Sequence, residues 1–298
     1  PTVTMILPTA DDTKAAAFTF TGTTTEAGSG VKSLKMTIKD DANASMTQDF
    51  TLSTSENWSQ KVKFADYAAS GKVFSTEGKK KITLTAEDNA GNSGAYTSQG
   101  TSPVVNYEFV YDKADPTFEL TNTFPVYLGT AGFTANATVK DTYKLDLNSL
   151  ITVNETFTPQ AGGSAVTTSA EYKYEGSTFT VKRNGTGNFV AITSGEIALD
   201  GTATANKEYK LKIKLPINGG TVTDGTYKYT FTVKDSGGNE VTSKEYSTTA
   251  DSVVPAIATG KVKVSDTAYS ALSSSWFNSN SNSIKGETGA VTDAHLDL

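Results

Sequence analysis

The sequence has no cysteine, a single histidine and a single arginine among its 298 residues. Without cysteine there is no disulfide framework, no thiolate metal site and no cysteine nucleophile. His295 lacks a partner at any recognisable ligand or triad spacing and reads as a surface residue. Arg183 alone leaves little for planar, bidentate recognition of phosphate or carboxylate groups. No apolar run approaches the roughly 20 residues of a membrane-spanning helix, and no cationic-then-apolar signal segment opens the sequence. With Pro1 as its first residue, the chain reads as an internal or processed fragment. Basic clusters are also missing apart from Lys79-Lys80-Lys81, and the net charge is −6, so no nucleic-acid partner is expected.

What the chain does have is threonine, 48 times, together with 13 tyrosines and 14 phenylalanines. These residues fit pleated surfaces, so an all-β protein is expected. Only 37% of residues are hydrophobic, which suits a string of thin two-sheet domains better than one large globule.

One pattern occurs twice. In Lys80 to Asn92, Ile82, Leu84 and Ala86 alternate with polar residues before the turn Asp88-Asn89-Ala90-Gly91-Asn92. In Lys228 to Asn239, Tyr229, Phe231 and Val233 do the same before Asp235-Ser236-Gly237-Gly238-Asn239. A period of two means a strand with one face on a core, and an acid followed by glycine means a tight turn after it. Proline-led strand starts recur at Pro1, Pro116 and Pro255. The chain is therefore expected to divide into β-sandwiches at 1–114 and 115–252, the second with longer loops near Ala161 to Ser164 and Asp200 to Asn206. Residues 253–298 are too few for a separate sandwich core. They read as an incomplete third domain or as strands added to the second.

The string Thr25-Glu26-Ala27-Gly28-Ser29-Gly30-Val31, the turn Asp88 to Asn92 and the joint Tyr111-Asp112-Lys113-Ala114-Asp115-Pro116 resemble the bacterial immunoglobulin-like domains that occur in tandem on surface proteins and adhesins. The second half keeps the Asp235 to Asn239 turn but has Val139-Lys140-Asp141-Thr142-Tyr143 where the Gly-Ser-Gly turn would fall. The resemblance implies tandem immunoglobulin-like β-sandwiches on a cell surface or in a secreted, extracellular protein.

Calcium is the sharpest chemical candidate. Hard oxygen ligands come from carboxylates, amide oxygens and main-chain carbonyls, and the turns offer Asp88, Asn89, Asn92, Asp235 and Asn239 beside Asp112, Asp115 and Asp251 at the joints. The competing reading is that each aspartate caps its own turn. No Gly-x-Ser-x-Gly elbow, dinucleotide loop or P-loop is present, so no catalytic residues and no organic cofactor are assigned, and the chain is not read as an enzyme. A covalent Lys–Asn link would need a buried pair, and Lys140 or Lys234 with Asn136 are the pairs considered. Trp58 is in phase with Val62 and Phe64 and is expected in the core, whereas Trp276-Phe277 are candidates for sugar contact.

The expected role is a stalk or adhesive repeat of a bacterial surface protein, monomeric and without a membrane span in this fragment. The alternatives are a binding head for a host protein or surface glycan, or an accessory region of a secreted polysaccharide-degrading enzyme.

Overall fold

The computed structural model describes residues 1–7, 13–96, 107–192, 195–204, 206–217, 221–252 and three short strands within 262–286. Pro1–Ala250 forms one compact unit, and Asp251–Leu298 a second.

The first unit begins with β1 (Thr2–Leu7), β2 (Thr13–Lys14), β3 (Ala17–Thr25), β4 (Val31–Asp40), β5 (Thr47–Thr51), β6 (Asn57–Lys63), β7 (Gly78–Asp88), β8 (Ser93–Tyr96) and β9 (Tyr107–Tyr111). They form two facing sheets, β1-β3-β6 and β2-β9-β7-β4-β5, with β8 alongside β7. All neighbours are antiparallel except β2 and β9, where Thr13 and Lys14 run parallel to Val110 and Tyr111. The inward phase expected of Ile82, Leu84 and Ala86 is found on β7, and Trp58 is buried as expected; Leu34, Met36 and Ile38 on β4 are buried with them. Phe64, at the start of a short 3-10 turn, stacks on Phe74 with ring centroids 4.4 Å apart.

The second half repeats the plan with β10 (Thr117–Leu120), β11 (Tyr127–Leu128), β12 (Phe133–Lys140), β13 (Ile151–Pro159), β14 (Val166–Glu175), β15 (Thr178–Arg183), β16 (Val190–Ala191), β17 (Ile197–Leu199), β18 (Glu208–Leu215), β19 (Gly225–Lys234), β20 (Glu240–Thr242) and β21 (Tyr246–Ala250). Its sheets are β10-β12-β18-β17 and β11-β21-β19-β13-β14-β15-β16, with β20 on β19. A short parallel pair recurs, β11 on β21. In both halves the first strand pairs with the third in one sheet, while the last strand lies beside the repeated strand in the other. This is the connectivity of immunoglobulin-like sandwiches.

Each half has its own core. One is built from Val3 to Tyr111 and the other from Leu128 to Ala250. The second half carries strands that the first lacks: β15 and β16 widen its larger sheet beyond β14, the counterpart of β5, and β17 adds to its smaller sheet. β16 is only Val190–Ala191, because its pairing with β15 covers two residues.

The described parts of the second unit are Asp251, Ser252 and a three-stranded sheet in the order β23-β22-β24, from β22 (Val262–Val264), β23 (Thr267–Tyr269) and β24 (Ile284–Gly286). Trp276, Phe277 and His295 lie outside the described residues.

Candidate metal centre

The repeated turn is locked by its own side chains. Asp235 accepts the main-chain N–H groups of Gly238 at 2.7 Å and Asn239 at 2.8 Å on Oδ1, and the Asn239 side-chain amide at 2.6 Å on Oδ2. Gly238 takes φ +98°, which glycine adopts without a steric penalty. Asp88 and Asn92 repeat this, with bonds of 2.8 Å to each carboxylate oxygen.

What differs is where each turn points. Gly78, at the start of β7, pairs with Tyr111 next to the joint, and Asp88 ends the same strand. Eleven residues of strand put Asp88 roughly 30 Å from the joint. There Pro1 places its ammonium 2.5 Å from Glu26, and hydrogen bonding from Asn92 holds the Asp88 carboxyl below its usual range. Asn89 bonds to the carbonyl of Ser29 at 2.8 Å. Asp88, Asn89 and Asn92 therefore do not join the residues at the joint. Asp115 is exposed in the linker, and Asp251 is exposed at the start of the second unit.

Asp235 does meet the joint. With Asp112, the first residue after β9, and Asp141, the first after β12, it offers carboxylate oxygens that all lie within 4.8 Å of one another. This is the one such group of three among the described residues. All three are buried, with Asp112 0%, Asp235 2% and Asp141 4% exposed. Asp112 is held by its N–H to the carbonyl of Lys14 at 3.0 Å, and its Oδ1 accepts Ala114 N at 3.2 Å. Asp141 Oδ1 accepts the N–H groups of Tyr143 at 2.6 Å and Lys144 at 2.8 Å. Asp112 Oδ2 is buried with no hydrogen-bond partner.

Three carboxylates this close and this dry repel one another. Burial, followed by the charges of Asp141 and Asp235, pushes Asp112 up to about 7. Burial also raises Asp235 against the hydrogen bonds from Asn239 and Gly238. Tyr143, whose hydroxyl lies 3.5 Å from where a Cβ on Gly78 would stand, is raised by burial and then by Glu77, Asp112, Asp141 and Asp40.

The donor set fits a hard cation: all oxygen, mostly carboxylate, with one acceptor that nothing else satisfies. Asp112, Asp141 and Asp235 are the residues that would hold it. Asn239 was expected as a ligand, but it turns its amide nitrogen to Asp235 Oδ2 and to the Asp112 carbonyl, so it orients the acids. Asp141 was not among the expected ligands. The available signal was positional: Asp141 directly follows β12 as Glu26 directly follows β3, and Thr117 faces Lys140 as Thr2 faces Thr25.

No family model and no curated protein matches the sequence. Among solved structures, fibronectin(III)-like modules of Clostridium thermocellum CbhA align over 84% of this chain and 93% of theirs, at 13% identity and a TM-score of 0.33. Trypsin-activated alpha-2-macroglobulin from Escherichia coli aligns over 90% of this chain and 17% of its own, at 12% identity and a TM-score of 0.24.

Proposed function

We propose that this chain is a non-catalytic spacer or adhesive-repeat region of a bacterial surface protein, and that calcium closes the acidic joint between its two sandwiches. The observation that carries the cation is Asp112 Oδ2, buried and unpartnered beside two further buried carboxylates. An unpaired charge in such a place is strongly destabilising. A divalent ion would neutralise the three acids and tie the end of β9 to the ends of β12 and β19, making two domains one stiff rod. Calcium accepts irregular oxygen shells that magnesium resists, which favours it here. An extracellular location accords with this reading, since calcium is plentiful there and the chain needs no reduced thiol. Sandwiches joined in this way hold length, which is what a spacer does.

Calorimetric titration with Ca²⁺, paired with thermal melting in Ca²⁺ and in EDTA, tests the reading. Heat on titration and a melting point raised by calcium are expected, because a ligand that binds only the folded state stabilises it by about 2.7 kcal/mol at 100 times Kd. No heat, with the same transition in EDTA, would overturn it.

A further inference from the structure

Lys80 is a buried group that the joint does not use. It stands on β7 in the same inward phase as Ile82 and Leu84, and its residue is 0% exposed. Asp40, at the end of β4, faces it directly across the two strands and is 2% exposed. Lys80 Nζ contacts Asp40 Oδ2, in the one ion pair among the described residues whose two side chains are both almost wholly buried. By contrast, Lys140 and Lys234, considered above for a covalent link, sit in exposed pairs with Glu208 and Glu240.

The surroundings hold the two groups in place. The Asn43 main-chain N–H donates to Asp40 Oδ1 at 2.7 Å, where it would stabilise negative charge developing on that oxygen. The Thr76 hydroxyl donates to Asp40 Oδ2 at 3.0 Å, and Thr76 O accepts from Lys80 Nζ at 2.8 Å, aiming the amine at the carboxyl group. The Tyr111 ring, 5.9 Å from Nζ, closes the site. Two charges out of water carry a desolvation penalty that a neutral amide avoids. Reacting groups held in register reach effective molarities of about 10⁵–10⁸ M.

We propose that Lys80 and Asp40 condense into an intramolecular isopeptide bond that joins β4 to β7 inside the first sandwich. Two of the ammonium protons pass to Oδ2, the Nζ lone pair adds to Cγ, and the Cγ–Oδ2 bond breaks. One water leaves, and the amide keeps the third proton. Ammonium plus carboxylate thus become amide plus water, with no oxidant or co-reactant. The link is independent of any cation at the joint.

Intact-mass spectrometry of the purified chain decides the matter. The expected mass is lower than the sequence mass by one water, and digestion with trypsin should give a branched peptide in which the segment starting at Asp40 is joined to Lys80. The Lys80→Arg variant, whose guanidinium is a poor nucleophile, should have its full sequence mass. A wild-type chain at full mass that yields only linear peptides overturns the proposal. Because that result is read on the wild type, it holds even if the variant does not fold.

Discussion

Asn239 donates its side-chain amide both to Asp235 Oδ2 at 2.6 Å and to the main-chain carbonyl of Asp112 at 3.2 Å, so one residue closes its own turn and bridges the two sandwiches. Asn92 makes the matching bond to Asp88 at the other end of the first sandwich, away from the Asp112 joint. Asn239→Ala should therefore destabilise by about 1.5–3 kcal/mol, the range for a bond to a charged group. Urea unfolding of both alanine variants measures this, and a larger loss for Asn239→Ala than for Asn92→Ala is expected.

Asp112→Asn removes one of three crowded negative charges and should raise the melting point in EDTA. It should also abolish the further rise on adding calcium. Melting curves for wild type and variant with and without the ion check both directions, and a variant that still responds to calcium would mean that Asp112 is not a ligand.

Gly22, on β3, is closely fitted against the flanking strands β1 and β6 of its own sheet. A Cβ there would lie 2.0 Å from Thr4 O and 2.2 Å from Trp58 Cζ2. Gly22→Ala should cost about 1–3 kcal/mol through overpacking, read as a lower urea midpoint and a loss of the fixed Trp58 environment in near-ultraviolet circular dichroism.

Glu155, on β13, is buried and accepts the Ile217 N–H at 2.9 Å. Burial raises its pKa above the ordinary carboxyl value, against the pull of that N–H. At acid pH, below the ordinary value, folded and unfolded chains both hold the proton and nothing is lost. As pH rises toward the raised value the unfolded chain ionises first, so stability falls until the folded group also ionises. Glu155→Gln keeps an acceptor for Ile217 without the charge. It should match wild type at acid pH and exceed it at mildly alkaline pH in parallel melts.

Most of the strand plan is legible in the sequence, because one face of each strand is dry and the alternation says so. Leu34, Met36 and Ile38 on β4 and Tyr229, Phe231 and Val233 on β19 need only the period of two. Asp112, Asp235 and Asn239 are legible as a joint because the turn and the proline-led start recur. Asp141 is not, since it lies 29 residues after Asp112 and 94 before Asp235 in the chain, and only strand pairing brings the three together. The Asp88 turn has the same local signal as Asp235 and a different neighbour, a difference fixed by the direction in which β7 runs. Lys80 looks like the middle of a solvated lysine triplet, yet strand phase turns it inward between exposed neighbours.

The parallel contact of β2 with β9 has a mechanical consequence. One strand follows from the entry of the first sandwich and the other leads to its exit, so tension on the chain drags them past each other lengthwise. The bonds at Thr13–Lys14 and Val110–Tyr111 then share the load and must rupture together instead of one by one. A covalent tie from Asp40 to Lys80 would leave the 39 residues between them unable to extend under that pull.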